Sequence, residues 1–310
     1  MKKFFYTIII LLNLFGCSFF NQQYYQSAYK EYSDGNYQTA LYFLDEIIKE
    51  NDYVYEVYVL RSKVYLKLGN TEQAIKDIEK AILIHDGYEA NFIYGKILFD
   101  NKDYKNALYH FSKAIEQNNQ FTEAYLNRAY TYYKINEFEK AIADYEKAYE
   151  LDPNSSVPFV NIGFIYGLIG RNDLAMEYYS KAITLNPKDF NAYYNRAGEY
   201  LTQNKNQEAL NDLQNASELD NRNTELLFLI AETRIKLKDY QNAFNDYTKI
   251  LLIDSLNSLA YYQRGLVNIE LKRDKAACDD FTKAGELGYF EAYEQIKKHC
   301  TKKTPVKKKK

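Results

Sequence analysis

An all-α solenoid of helix–turn–helix repeats is the fold that this chain of 310 residues predicts. Three observations carry the prediction. Alanine recurs at Ala40, Ala74, Ala107, Ala141, Ala175, Ala209, Ala243 and Ala277, in steps of 34 residues with a single step of 33. A fixed period in this range marks stacked supersecondary units. The second observation is what travels with each alanine. Four positions on stand Leu44, Ile78, Phe111, Tyr145, Tyr179, Leu213, Tyr247 and Phe281; seven on stand Ile47, Ala81, Ala114, Ala148, Ala182, Ala216, Ile250 and Ala284. Offsets of 0, 4 and 7 lie on one helical face. The third is a set of small residues twelve positions earlier: Ala28, Ser62, Gly95, Ala129, Gly163, Ala197, Ala231 and Gly265. Small residues let two backbones approach, and large ones fill the remaining space to interior density.

The elements follow in order along each unit. The first helix has the spacing of Tyr125, Ala129 and Tyr132 in the fourth unit and of Phe159, Gly163 and Tyr166 in the fifth. A turn comes next, marked by Gly35, Gly69, Gly170 and, in the equivalent place, Asn204. The alanine-bearing second helix closes the unit. Pro153 and Pro187 fall between units, where a helix must stop. Pro158 falls in the first turn of a helix, where its missing N–H costs little. Each unit buries its apolar face on its neighbours, so the length requires no split into separate domains. Eight units span residues 21–291.

The segments Tyr125-Leu126-Asn127-Arg128-Ala129 and Tyr193-Tyr194-Asn195-Arg196-Ala197, with the unit ends Leu151-Asp152-Pro153-Asn154 and Leu185-Asn186-Pro187-Lys188, resemble the tetratricopeptide repeat family. There are departures. The large aromatic at the fourth position is mostly tyrosine, tryptophan is absent, and the third unit has Asn91 there. The first and seventh units lack the last alanine, and carry Glu31 and Arg234 where tyrosine is usual. The resemblance implies a right-handed superhelix with a C-terminal capping helix, a protein-binding function without catalysis, and a concave groove lined by first helices. In that family the second, fifth, ninth and twelfth positions of those helices face inward most often, and the candidates here come from the last three. Phe92, Tyr194, Phe228 and Tyr262 stand at the fifth, Tyr130 and Phe164 at the ninth and Tyr133 at the twelfth. At the fifth position, packing between neighbouring helices is an equal alternative. Asn127, Asn161 and Asn195 stand 34 residues apart. Their amides could clamp the backbone of an extended peptide, or are simply the residue common at that position. The family's clamp for a C-terminal carboxylate uses a lysine at the fifth position. This chain has none there, so binding of that type is not expected.

The ends read differently. Met1-Lys2-Lys3 is a positive n-region, and Phe4 to Phe15 is apolar and too short to span a bilayer. Leu14-Phe15-Gly16-Cys17 resembles the lipobox of bacterial lipoproteins, which implies a signal peptide over 1–16 and acylation of Cys17. An ordinary cleaved signal or an uncleaved anchor is the alternative. Residues 17–20 form a short linker. No acidic run follows Cys17, which points to a periplasm-facing protein of the cell envelope. At the other end, residues 289–300 predict a capping helix, with Ala292, Ile296 and Cys300 spaced by four. Residues 301–310 form a lysine-rich tail expected to be disordered. It is either a solubilising end or a contact for anionic lipid or a neighbour's acidic face.

Cys278 lies ten residues before Gly288 and Cys300 twelve after it, so the two fall level in a hairpin turning there. An oxidising compartment favours a disulfide between them; two buried thiols are the alternative. His85, His110 and His299 have no metal-ligand spacing, no glycine-rich phosphate loop occurs, and no nucleophile stands with a base. No cofactor, metal or enzymatic activity is expected. Setting aside Lys2, Lys3 and the eight lysines from Lys297 onward takes the formal charge from −2 to −12. An acidic body resists nucleic acid. The expectation is a monomeric body, anchored to a membrane by lipid, serving as an envelope scaffold or adaptor for a protein or peptide partner. The alternative is a factor associated with the cell wall or a polysaccharide, its tyrosines stacked on sugar rings.

Overall fold

The computed structural model describes residues 21–300. The expected leader 1–16, Cys17, the 17–20 linker and the tail 301–310 lie outside the described residues. Every regular element among the described residues is helical. The chain divides into two compact units at Pro153 and Asn154. The first contains α1 (residues 21–33), α2 (Tyr37–Glu50), α3 (Tyr55–Lys67), α4 (Thr71–Ile84), α5 (Tyr88–Asp100), α6 (Tyr104–Gln117), α7 (Thr122–Lys134) and α8 (Phe138–Leu151). The second contains α9 (Val157–Leu168), α10 (Asn172–Leu185), α11 (Phe190–Thr202), α12 (Asn206–Leu219), α13 (Thr224–Lys236), α14 (Tyr240–Ile253), α15 (Ser258–Glu270) and α16 (Asp274–Glu286). A short α17 (Ala292–Gln295) follows and runs into a π-helical turn, Ile296–Cys300. From α2 to α8, and again from α9 to α17, each helix packs on the next, the pairwise stacking of a repeat solenoid.

All eight period-marking alanines are 0 % exposed, so the ruler marks contact and not merely composition. The residues four and seven positions on are buried with them, Tyr145 and Phe111 among the largest. At three crossings even a methyl group is too much. A Cβ on Gly95 would stand 2.7 Å from the Phe111 ring, one on Gly163 would stand 2.8 Å from the Tyr179 ring, and one on Gly265 would stand 2.6 Å from the Phe281 ring.

The turn inside each repeat is one motif repeated eight times. Gly35, Gly69, Lys102, Asn136, Gly170, Asn204, Lys238 and Lys272 all have positive φ. In each, the next residue's N–H reaches back to a first-helix carbonyl, as in Asn70 to Tyr65 and Arg273 to Asn268, both 2.8 Å. This is the Schellman closure, which satisfies orphan carbonyls at a helix end. The lysines occupy the left-handed position because the register demands it there.

Arginine ties the stack together. Arg61, Arg128, Arg196 and Arg264 stand at the same register of every second repeat. Arg128 Nε and Nη2 donate to the two Asp144 oxygens at 2.7 Å each, and Nη1 donates to Ser112 Oγ at 3.0 Å. Arg196 does the same with Asp212, at 2.7 and 2.8 Å, and with Ser180 at 3.0 Å. Arg61 pairs with Asp77 and Asp45, and Arg264 with Asp280 and Thr248. Each guanidinium therefore joins its own first helix to the second helices of its own repeat and the preceding one. In the third repeat, the Tyr94 hydroxyl takes this place and donates to Glu79 at 2.8 Å. In the seventh, Ile230 occupies the register, and Arg234 one turn on pairs with Asp246. Arg234 thus accounts for the missing tyrosine. Burial pushes the Asp77 and Asp246 carboxyls up, and the facing guanidinium of Arg61 or Arg234 pulls each back.

At the C-terminal end, Ala292, Ile296 and Cys300 pack on Ala277, Phe281 and Ala284. Cys278 and Cys300 are joined in the structure, with Cα atoms 5.7 Å apart, inside the span a disulfide can bridge.

Asp212 is 6 % exposed and Arg196 18 %. Removing one partner of such a pair leaves a charge buried alone. Arg196→Ala is expected to cost about 3 kcal/mol, read as a lower urea midpoint. The double variant Arg196→Met/Asp212→Leu should regain most of that loss, because apolar replacement of both partners strands no charge.

Candidate functional site

Tyr58, Phe111, Tyr125, Tyr145, Tyr179, Tyr247 and Phe281 are buried in the core, and most of the other rings keep some exposure. In the first unit, α3, α5 and the start of α7 open a cleft of about 590 Å³. Its floor is Leu66, Phe92, Ile93, Ile97 and Phe121, and its rim carries Lys63, Lys67, Lys96, Glu89, Asp100 and Glu123. Phe92 meets Phe121 edge-on at 4.8 Å, and the Lys96 ammonium lies 5.8 Å from the Phe92 ring centre. Lys63 pairs with Glu89 across the rim.

Beside the cleft runs a line of rings. Phe99 lies 5.4 Å from both Tyr104 and Tyr130, Tyr130 stacks on Tyr133 at 5.7 Å, and Tyr133 meets Phe138 at 6.4 Å. Tyr130 is 39 % exposed. The Lys134 ammonium lies 4.9 Å from the Tyr130 ring and 5.3 Å from the Tyr133 ring, within cation–π range.

In the second unit, Phe164 is 38 % exposed and Tyr194 36 %, with Tyr194 stacked on Phe190 at 5.8 Å. The remaining fifth-position aromatics face inward as well as outward. Phe92 lies 5.9 Å from Phe111, Phe228 5.7 Å from Tyr247, and Tyr262 5.9 Å from Phe281. Each contacts the large residue on its own repeat's second helix. Packing is therefore a definite role of these three, and Phe92 alone of them also lines the cleft. The asparagines are half-buried. Asn127 donates to Glu123 O at 2.7 Å and Asn161 to Val157 O at 2.9 Å, one turn back on their own helices.

Asn91, the exception at the fourth position, is explained by its neighbours. It is buried, donates to Gly87 O at 3.1 Å and to Asp86, and lies 2.8 Å from His110 Nδ1. Burial holds the His110 imidazole below its ordinary pKa, so its neutral ring donates to the Asn91 carbonyl. A polar cluster here fills the slot that a tyrosine fills elsewhere. Among the described residues, no group of three His, Cys, Asp or Glu is placed to hold a metal ion. No described helix is long and apolar enough to cross a membrane.

Two sets of residues escaped the sequence reading. The cleft floor at Ile93, Ile97 and Phe121 lies off the fifth, ninth and twelfth positions, and Leu66, at the twelfth, was not singled out. The arginine clamps were visible as a recurrence every second repeat, but that signal does not say which carboxylate each one meets.

Family models agree with this architecture. Those described as tetratricopeptide repeat match residues 122–155, 159–189, 178–211 and 224–255, and one described as TPR repeat matches 95–136. The chain belongs to the tetratricopeptide-repeat family. A model described as anaphase-promoting complex, cyclosome, subunit 3 matches 33–114. Among curated proteins there is no significant match. Similar solved structures include the C-terminal part of a TPR repeat-containing protein from Cytophaga hutchinsonii, 20 % identical, TM-score 0.61, covering 76 % of this chain and 97 % of that one. Another is pilF of Pseudomonas aeruginosa, 21 % identical, TM-score 0.57, covering 67 % and 95 %. A third is YrrB, described as a TPR protein with an unusual peptide-binding site, 24 % identical, TM-score 0.52, covering 60 % and 97 %. At these identities the likeness is one of fold. Tetratricopeptide repeats generally mediate protein–protein interaction, and the fold is typically a scaffold without catalysis.

The tyrosines of this repeat array make it sensitive to alkali. Burial, with the hydrogen bond to Glu79, pushes Tyr94 from 10.0 up to about 12, and burial pushes Tyr55 to about 12. Burial raises Tyr145, Tyr179 and Tyr247 as well. The folded state holds these protons more tightly than the unfolded chain. Their stabilising contribution is thus complete below pH 10 and is lost as pH climbs toward 12. Thermal melts should be flat from neutral pH to about 10 and fall steeply above it. The tyrosinate absorbance contributed by the buried Tyr145, Tyr179 and Tyr247 should rise together with the loss of helix, not ahead of it.

Proposed function

We propose that this chain is a protein-binding scaffold of the bacterial cell envelope, holding an extended partner segment on the first-helix face of its first unit. The Tyr130–Tyr133 stack beside the α3–α5–α7 cleft, with Tyr130 exposed and Tyr133 half-buried, carries the reading. A large exposed aromatic surface next to an apolar cleft marks a partner site, and aromatic rings anchor peptides at low entropy cost. The peptide-binding description of YrrB supports the same use of the fold. A peptide fits better than a sugar. The rings form a line rather than isolated platforms, and the Asn127 and Asn161 amides each spend a donor on their own helix. Lysines and carboxylates alternate around the cleft, which suits a partner of mixed charge. The lipobox-like run to Cys17 supports a lipid anchor on the scaffold, only a short stretch of sequence before the first repeat. Two acyl chains at about 0.8 kcal/mol per methylene hold such an anchor.

Affinity capture from envelope extracts tests the site. A Tyr130→Ala/Tyr133→Ala protein with an unchanged helical signal should retain its partner about 30-fold less tightly, the loss of roughly 2 kcal/mol typical of an aromatic anchor pair. Equal recovery by wild type and variant would refute the site. The anchor is tested separately by feeding labelled palmitate: wild type should carry label and sediment with membranes, and Cys17→Ala should do neither.

A further inference from the structure

We propose that the lysine-rich segment 301–310 folds back onto the first-helix face of its own second unit and occupies it. The claim is independent of what the first unit binds.

The position where the segment starts is the first argument. α13 sets Glu225, Phe228, Glu232 and Ile235 on one stripe, at spacings of three, four and three. α15 sets Leu266, Ile269 and Glu270 on the matching stripe. Ile235, Leu266, Ile269 and Glu270 line a single cleft of about 490 Å³, whose other wall is Gln295, Lys298 and His299. The next residue, Cys300, is tied to Cys278 of α16. Residue 301 therefore leaves from the wall of that cleft. Ten extended residues reach up to about 33 Å.

Charge is the second argument. Glu199, Glu225, Glu232 and Glu270 stand on α11, α13 and α15, and none has an ion-pair partner among the described residues. The arginines of these helices do not offset them, because Arg196, Arg234 and Arg264 are committed to Asp212, Asp246 and Asp280. Lys236 is the one lysine these three helices carry, and Lys298 stands on the cleft wall. The segment supplies six lysines, in a pair and a run of four, with Pro305-Val306 between them. That order, cation, apolar, cation, suits an apolar floor of Ile235, Leu266 and Ile269 with the exposed Glu270 on its lining and the exposed Glu232 nearly one turn before Ile235 on α13.

Energetics is the third. Exposed pairs are worth at most about 1 kcal/mol each and weaken with salt, so a free peptide of this kind would bind poorly. The tether changes this by holding the segment at an effective concentration in the millimolar range. The consequence is a face that is filled at low salt and opens to a competitor presenting the same chemistry.

Zero-length carbodiimide coupling of the full-length protein at high dilution tests the proposal. The reagent joins a lysine amine to a carboxyl as an amide with loss of water, and only where the two already touch. Links from Lys302–Lys310 to Glu232 or Glu270 are expected in the monomer band, falling roughly tenfold in yield between low and high salt. Three results would overturn the claim: links only in a dimer band, which would seat the segment on a second copy; links confined to carboxylates of the second helices, or none; and loss of the links on adding phosphatidylglycerol vesicles at physiological salt, which would assign the segment to lipid. None of these readouts touches Tyr130 or Tyr133, so this proposal and the scaffold reading fail separately.

Discussion

Two packed helices come closest where only small side chains separate their backbones. In this protein that contact is made once per repeat, at an alanine wholly removed from solvent. The rest of the structure follows from it. The short separation lets the large residue four positions on reach across the interface, and each buried ring or branched chain then fixes the angle at which the next helix lies. Gly95 and Gly265 show how tight the constraint is, since their neighbouring rings leave no room for one carbon atom. A contact this close cannot slide, so the register of one repeat is handed on to the next.

Apolar contact sets the distance but not the partner. The arginine clamps add that choice. A planar guanidinium can meet a carboxylate on one edge and a hydroxyl on the other only if three helices hold a single arrangement. Ser112, Ser180 and Thr248 provide the hydroxyl in repeats that lack the clamp themselves. Successive repeats are therefore not equivalent: the even ones carry an arginine at this register, whereas Tyr94 and Arg234 make different contacts in the third and seventh. The chemical unit of this array is thus a pair of repeats, although the backbone unit is one.

What the stack leaves exposed differs between the two units. The first-helix face of the first carries lysines and carboxylates in balance around an apolar cleft. The corresponding helices of the second carry Glu199, Glu225, Glu232 and Glu270 against one lysine, Lys236. Since the paired arginines are removed from the account in both units, the difference lies in the charges free to meet a partner. A fold built from near-identical repeats thus presents two chemically distinct surfaces, because its variable positions are the ones packing does not claim.

The helices, their turns and the helix faces in contact were legible in the sequence, because periodic burial leaves a periodic record. Gly35, Gly69 and Gly170 announced their turns by residue type. Lys102, Lys238 and Lys272 hold the same backbone conformation without announcing it, since a lysine prefers no left-handed φ and only its place in the period assigns it. The candidate face was legible in outline. A helix presents a broad arc to its surroundings, and a residue at the arc's edge can turn either to a neighbour or to solvent. Phe228 and Tyr262 stand at that edge, and their neighbours Tyr247 and Phe281 draw the rings inward. The sequence by itself determined the period, the contact residues and the sign of the body's charge, all of which are properties of order along the chain. Only the tertiary structure decided which carboxylate each arginine meets and which aromatic rings keep a face toward solvent, because both depend on residues from different helices coming within a few ångströms of one another.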